Sequence, residues 1–144
     1  MKIAQALKQK KVLVGEIEQV WNKLLTSNSI SEGNTRTYSP KQLKNEIASK
    51  TTELVALKLA LYNANKPIQE KIFLRDELKT QAQKIKCLNT TSGVNYGYGN
   101  TKENAVKYEA EISELEKDAM IKAYEDQINK IQDELETFNH TTDI

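Results

Sequence analysis

Residues 39–68 read SPKQLKNEIASKTTELVALKLALYNANKPI and decide the fold. Ser39 followed by Pro40 is typical of a helix start, because serine caps the first turn and proline fits the first helical position. Apolar residues then recur in three- and four-residue steps, which places them on one helix face: Leu43, Ile47, Leu54, Leu57, Leu61 and Ala64. The residue before Pro67 avoids the helical region, so this helix ends near residue 64 and another follows at once.

The rest of the chain shows the same helical periodicity. It predicts helices over about 2–27, 39–64, 67–89 and 101–138, with Thr101 as the cap of the last one and a Gly/Tyr loop or short hairpin at 89–100. Short connections make consecutive helices antiparallel neighbours. We therefore expect a single all-α domain over 1–144, an antiparallel four-helix bundle with coiled-coil-like seams and a long C-terminal helix.

The length of the last predicted helix favours self-association. Residues 101–138 would span about 57 Å as a helix, whereas residues 67–89 would span about 33 Å. One end of the last helix would then have no intramolecular partner of equal length. The unpartnered helix end would be covered by the loop at 89–100, frayed, or covered by a second subunit. Heptad-like seams associate readily, so we expect a homo-oligomer.

Charge is unevenly distributed along the chain. Residues 1–100 contain 16 Lys and Arg and 8 Asp and Glu, whereas residues 101–144 contain 5 and 12, although the net charge is only +1. One interpretation is that the acidic last helix and the basic remainder attract one another. The other is that basic groups left uncovered by the last helix form an anion site.

Several classes of protein are disfavoured. The one cysteine, Cys87, excludes an intramolecular disulfide, and the first residues lack the apolar core of a signal peptide. The most apolar stretch, residues 54–62, is far shorter than the roughly 20 residues that span a bilayer. Arg36 and Arg75 are the only arginines and no nucleic-acid-binding motif is present. We expect a cytoplasmic protein with no membrane span and no sequence-specific nucleic-acid binding.

Three charged side chains stand at positions that apolar residues would normally take. Lys10 and Lys50 interrupt the seams of the first two helices, where a lysine either reaches towards solvent or points into a polar cavity. Arg75, next to Asp76, lies inside the third predicted helix. It would either pair with a carboxylate of a neighbouring helix or offer a planar fork to a phosphate or carboxylate.

The remaining candidates give no evidence for catalysis. Tyr96 and Tyr98 lie in a glycine-rich loop that lacks the P-loop pattern, so the loop is either a flexible connection or a lid whose rings stack on a planar ligand. His140 has no second ligand at metal-binding spacing. No nucleophile triad or acid–base pair is visible. We expect no catalytic residue, no metal, no cofactor and no enzymatic activity.

Short motifs along the chain resemble the septicolysin-like family of small, all-helical bacterial proteins. Residues 2–7 are similar to the family's Lys-Leu-Ala-Glu-Ala-Leu, and residues 139–144 to its Asn-Trp-Thr-Thr-Glu-Leu. Ile17-Glu18-Gln19, Leu61 with Asn65, and Leu74-Arg75-Asp76-Glu77-Leu78 provide the internal matches. The resemblance implies a small helical fold.

In an up-down-up-down bundle, Asn65 and residues 139–142 would gather near Met1. Arg75 would lie about 15 Å further along, level with Lys10. We expect these groups to bind a small anionic ligand of nucleotide type, in an oligomer that sequesters a signal. The alternative is a helical interaction or scaffold module. The predicted ligand-binding residues are Lys10, Asn65, Arg75, Asp76, Tyr96, Tyr98, Asn139, His140, Thr141 and Thr142.

Overall fold

The structure is a computed structural model that describes residues 1–96 and 105–144, with the backbone alone at residues 95 and 96. Within these residues the chain forms α1 (Ile3–Ser27), α2 (Pro40–Asn65), a 3-10 turn (Lys66–Ile68), α3 (Gln69–Lys86), β1 (Gly93–Tyr96), β2 (Ala105–Tyr108) and α4 (Glu114–Thr141). The prediction of a predominantly helical chain is confirmed. No helix in this part of the chain combines the length and the apolar character needed to cross a bilayer.

The chain divides into two compact units. The first unit comprises residues 1–69 and 136–144, and the second comprises residues 70–135. The sequence predicts one domain over 1–144. The division arises because α4 contributes its last turns to one set of contacts and residues 114–135 to the other.

The first unit is built on an antiparallel pair of helices. At one end, Ile3 and Ala6 of α1 pack with Leu61 of α2, and Phe138 covers this cluster. At the other end, Val20 of α1 packs with two residues of α2, Leu43 and Ile47. Ser39 caps α2 as predicted, since its Oγ accepts a hydrogen bond from the Gln42 amide at 3.4 Å.

The second unit combines α3, residues 114–135 of α4 and the two strands. Its buried residues are Leu78, Ala82, Ile131 and Leu135. Lys71 pairs with Glu134, and Lys86 Nζ lies 3.6 Å from Glu125 Oε1, so the start of α3 lies beside the end of this part of α4. Basic and acidic side chains thus face one another across α3 and α4, in line with the charge pattern of the sequence.

The predicted start of the last helix is wrong. Ala105–Tyr108 forms a strand that pairs antiparallel with β1, and α4 begins only at Glu114. Val106 and Tyr108 are a β-branched and an aromatic residue, which favour strands when a partner strand is available. Thr101, the predicted cap, lies outside the described residues.

The helix start that the sequence does contain is at Ser113. Its Oγ accepts a hydrogen bond from the Glu116 amide at 3.1 Å, so Ser113 caps α4. A serine followed three residues later by a glutamate is a helix-start pattern. Because α4 has 28 residues, it spans about 42 Å rather than about 57 Å. Because α3 has 18 residues and spans about 27 Å, the length difference from which we expected an oligomer is about 15 Å rather than about 24 Å.

The packing predicts that alanine substitutions at two leucines of α2 differ sharply in their effect on the free energy of unfolding. Leu61 is 5% exposed and Leu59 is 59% exposed. Leu61→Ala should lower the free energy of unfolding by about 2–5 kcal/mol, because it leaves a cavity beside Ile3 and Ala6. Leu59→Ala, the matched control, should change it by less than about 0.5 kcal/mol. Urea unfolding followed by circular dichroism measures both, and equal effects would contradict the assigned helix face.

Candidate functional site

The residues predicted from the sequence fall into both units. Lys10, Asn65 and residues 139–142 belong to the first unit, whereas Arg75 and Asp76 belong to the second. Tyr96 lies in β1, where only its backbone is described, and Tyr98 is outside the described residues. A common pocket for all of them stays a prediction.

The predicted cluster near Met1 is used to join the two ends of the described chain. The Ile3 amide donates to the Thr142 carbonyl at 3.0 Å, and the Ile144 amide donates to the Met1 carbonyl at 2.9 Å. Lys2 Nζ donates to the Thr141 carbonyl at 2.9 Å and to Asp143 Oδ2 at 2.7 Å. We call these contacts the terminal clasp. Its polar groups satisfy one another.

Asn65 is the last residue of α2, and Asn139 and His140 lie in the last turn of α4. The three side chains differ in exposure. Asn139 is half-buried and His140 is exposed. Asn65 Oδ1 is buried and has no hydrogen-bond partner among the described residues. A buried carbonyl oxygen needs a donor, such as a water molecule or an N–H group. This atom therefore does not suit an anion.

Arg75 is hydrogen-bonded to other residues of the second unit. Its Nε and Nη2 donate to Asp76 Oδ1 at 3.1 and 3.0 Å, and its Nη1 donates to Gln132 Oε1 of α4 at 3.1 Å. The carboxylate partner is thus on the same helix, whereas the partner on the neighbouring helix is an amide. All three guanidinium nitrogens are engaged, which favours the structural interpretation of Arg75.

Of the two lysines in the apolar seams, Lys50 has an ionic partner on the neighbouring helix. Lys50 Nζ lies 2.8 Å from Glu16 Oε2 between α1 and α2. The hydrogen bond to Glu16 raises the pKa of Lys50 above its usual value. Lys10 is half-buried on α1. Polar side chains here interrupt an otherwise apolar seam and fix the alignment of the two helices.

A cavity lies where α1 passes into α2. One part, of about 470 Å³, is lined by Asn28, Arg36, Thr37, Tyr38, Ser39, Pro40 and Lys41. A neighbouring part, of about 460 Å³, is lined by Leu24, Asn28, Pro40, Lys41, Lys44 and Asn45. The two parts share Asn28, Pro40 and Lys41, and we call them together the corner cavity. Its charged lining residues are all cationic.

Arg36 is held in place by the end of α1. Its Nη1 donates to the Ser27 carbonyl at 2.7 Å and to the Asn28 carbonyl at 2.9 Å. Carbonyls at a helix C-terminus lack intrahelical partners, so an arginine there completes the helix. Both bonds use Nη1, which leaves the N–H groups of Nε and Nη2 for other acceptors.

Two lysines at this end of the helix pair lie over aromatic rings. Lys23 Nζ is 5.2 Å from the ring centroid of Tyr38, and Lys44 Nζ is 5.4 Å from that of Trp21. Such contacts orient an ammonium group without neutralising its charge. The corner cavity therefore combines positive charge with the half-exposed ring of Tyr38, which an anion bearing a planar group would match.

A signal for this site was present in the sequence. Arg36 is one of only two arginines, and Lys41 and Lys44 follow the helix start at Ser39 and Pro40. That signal needed the fold, because residue 36 reaches the cavity only when the connection folds back onto the end of α1. The local sequence does not show that Arg36, Lys41 and Lys44 lie close together.

Comparisons with known proteins do not assign the site. The chain matches no protein-family model, and searches of curated proteins and of solved structures found no match. Within residues 1–96 and 105–144, no three His, Cys, Asp or Glu side chains gather as a metal centre requires. The geometry of the corner cavity is therefore the basis for assigning a function.

The terminal clasp predicts a dependence of stability on pH. The hydrogen bond from Lys2, together with the charge of the Met1 amine, lowers the pKa of Asp143 in the folded state. The stabilisation is therefore present above the pKa of the unfolded chain and is lost as pH falls through the lower folded value. Asp143→Asn should remove it, so the stability difference between wild type and variant should shrink from pH 7 towards pH 2.

A double-mutant comparison provides the control for the clasp. Lys2→Gln removes the main partner of Asp143, so adding it to Asp143→Asn should cost less than it costs alone. Urea unfolding at several pH values measures each difference. A wild-type advantage over Asp143→Asn that is unchanged at pH 2 would contradict the assigned ion pair.

Proposed function

We propose that this protein is a non-enzymatic, oligomeric helical protein that binds a small anionic ligand of nucleotide type in the corner cavity. The observation that carries the proposal is a cavity of about 470 Å³ whose charged lining residues are Arg36 and Lys41. The proposal includes the antiparallel four-helix bundle, membership of the septicolysin-like family, a cytoplasmic location and a role in sequestering a signal.

The size of the corner cavity supports a small organic ligand. Ligand pockets usually have volumes of about 300–1,000 Å³, a range that includes the value here. A phosphate group would meet the remaining N–H groups of Arg36 and the ammonium of Lys41, and a planar base would stack on Tyr38. This arrangement replaces the predicted Arg75 fork and loop tyrosines as the basis of binding.

The chemistry of the lining groups supports binding rather than turnover. The lining residues contribute cations, hydroxyls, amides and one phenol. Cations and hydrogen-bond donors hold an anion, whereas general acid–base catalysis usually relies on histidine or a carboxylate. We therefore keep the protein among ligand-binding proteins.

A second candidate function is supported by a different surface. Val55, Leu59 and Tyr62 are exposed on α2 and follow one another at steps of four and three residues. This is the spacing of a coiled-coil seam, which would dock an amphipathic partner helix. A helical interaction or scaffold module is therefore the alternative to a ligand-binding protein.

Thermal unfolding with ATP, ADP and inorganic phosphate tests the ligand proposal. A ligand that binds only the folded state at 100 times its Kd stabilises that state by about 2.7 kcal/mol, which raises the Tm by several degrees for a chain of this size. Lys41→Gln with Lys44→Gln should weaken nucleotide binding at least about tenfold, because two charge-assisted contacts are lost. Isothermal titration calorimetry measures the change.

The matched control removes the same charge elsewhere. Lys11 and Lys58 are exposed lysines of α1 and α2 that do not line the corner cavity. Lys11→Gln with Lys58→Gln should leave the affinity within about twofold, apart from the general loss of positive field. No Tm shift with any of the three compounds, or equal losses in both double variants, would contradict the proposed site.

A further inference from the structure

We propose that the side of α2 turned away from α1 docks an acidic amphipathic helix of another protein. The apolar centre of this surface consists of Val55, Leu59 and Tyr62, which we call the outer stripe. The inference goes beyond ligand binding at the corner cavity, and it specifies the partner that the alternative function leaves open.

α2 carries apolar residues on two separate sides. Leu43 and Leu61 are buried in the clusters that α2 forms with α1. In the outer stripe, by contrast, the exposed fraction is 59% for Val55, 59% for Leu59 and 64% for Tyr62. At about 100° per residue, the outer stripe lies about 110° around the helix from the buried leucines. Large apolar side chains that are exposed together at helical spacing mark an interaction surface.

The charged residues that border the outer stripe are lysines. Lys58 lies three residues after Val55 and four before Tyr62, so it borders the stripe on one side. Lys66 Nζ lies 5.4 Å from the ring centroid of Tyr62, at the end of the stripe. Within residues 1–96 and 105–144, no carboxylate pairs with Lys58 or Lys66. Both positive charges are therefore available to a partner.

The two carboxylates of α2 are directed towards α1 instead. Glu53 Oε1 accepts a hydrogen bond from Gln9 of α1 at 3.4 Å. Lys50 pairs with Glu16 of α1 at 2.8 Å. After that hydrogen bond, the nearby charges of Glu46 and Glu53 also raise the pKa of Lys50. The negative charge of α2 thus lies on the α1 side, and the outer stripe keeps only positive neighbours.

This single sign of charge selects the chemistry of the partner. Two copies of α2 that met through their outer stripes would bring Lys58 and Lys66 close to the same lysines of the other copy, which is repulsive in either orientation. A helix with Glu or Asp beside its apolar residues places opposite charges at those positions. Charges that flank an apolar seam set the choice of partner in coiled coils in the same way.

The shape of the outer stripe favours a helix over a lipid surface. Its three residues follow one another at steps of four and three and cover only about 60° of the circumference of α2. A narrow stripe with this spacing is typical of a seam between two helices, whereas an apolar face is broader where a helix packs on a core. The stripe therefore fits one partner helix.

Two designed peptides of about four heptads probe the outer stripe. They share the same apolar seam, but one carries Glu and the other Lys at the flanking e and g positions. At low salt the acidic peptide should bind at least about tenfold more tightly, and added salt should reduce this difference by screening. Isothermal titration calorimetry measures both affinities. Equal affinities, or no binding of the acidic peptide, would overturn the proposal.

Removing one apolar contact tests the position of the docked helix. Leu59→Ala should weaken binding of the acidic peptide at least about fivefold, because less apolar surface is buried on binding. Val12→Ala is the matched control, since Val12 is 50% exposed on α1 and lies outside the outer stripe. It should leave the affinity within about twofold. Equal losses in the two variants would contradict docking at the outer stripe.

Charge reversal tests the predicted sign of the partner. Lys58→Glu with Lys66→Glu should weaken binding of the acidic peptide at least about tenfold and should strengthen binding of the basic peptide. The control, Lys8→Glu with Lys11→Glu, reverses two exposed lysines of α1 and accounts for the change in net charge. Circular dichroism verifies the fold of each variant. An unchanged preference for the acidic peptide in the Lys58 and Lys66 double variant would overturn the proposal.

Other occupants of the outer stripe give different results. Sedimentation velocity detects self-association, and co-sedimentation with phosphatidylserine vesicles detects membrane binding. A dimer or vesicle binding that Leu59→Ala abolishes, without binding of the acidic peptide, would assign the stripe to that occupant and overturn the proposal.

The same variants separate this inference from the ligand proposal. Leu59, Lys58 and Lys66 do not line the corner cavity, so the Tm shift with ATP should be retained when they are substituted. An ATP shift without binding of the acidic peptide overturns the docking surface alone. Peptide binding that depends on Leu59, without any shift with ATP or phosphate, supports the docking surface and contradicts ligand binding at the corner cavity.

Discussion

The packing of α1 against α2 is the constraint on which the rest of the first unit depends. Ile3 and Leu61 meet at one end of the pair, and Val20 and Leu43 meet at the other. Two separated apolar clusters resist sliding of one helix along the other, because any shift would expose both of them. The ion pair of Lys50 with Glu16 lies between the clusters and adds a polar restraint. This alignment fixes the corner cavity at one end of the helix pair and the terminal clasp at the other.

The two ends of the helix pair differ in how their cations are neutralised. At the clasp, Lys2 faces the carboxylate of Asp143, and in the second unit Lys71 faces Glu134. At the corner, Arg36 faces backbone carbonyls, and Lys44 lies over the ring of Trp21. Carbonyls and rings orient a cation but carry no net charge, so these contacts do not neutralise Arg36 and Lys44. This difference is the reason that the proposed anion site is placed at the corner.

Much of the helical part of the fold could be predicted from local signals. Ser39 and Pro40 start α2, and the periodic apolar residues identify the faces that Leu43 and Leu61 bury. The strand at Ala105–Tyr108 was missed because Tyr108, Ile112 and Leu115 also fit a helical spacing. Only pairing with β1, across a separation that local patterns do not encode, selects the strand. The capping pattern at Ser113 was the available sign that α4 starts later.

The sequence by itself determined that this chain is mainly helical, where α1 and α2 lie, and that positive charge is concentrated in residues 1–100 and negative charge in residues 101–144. Those properties depend on spacing and composition, which act over a few residues or through charge alone. The tertiary structure decided which partners the two arginines have. Arg75 is engaged by Asp76 and Gln132, whereas Arg36 uses one nitrogen to hold the end of α1 and is among the residues that line a cavity. The local sequence of an arginine does not specify its partners, because they come from other turns and other helices.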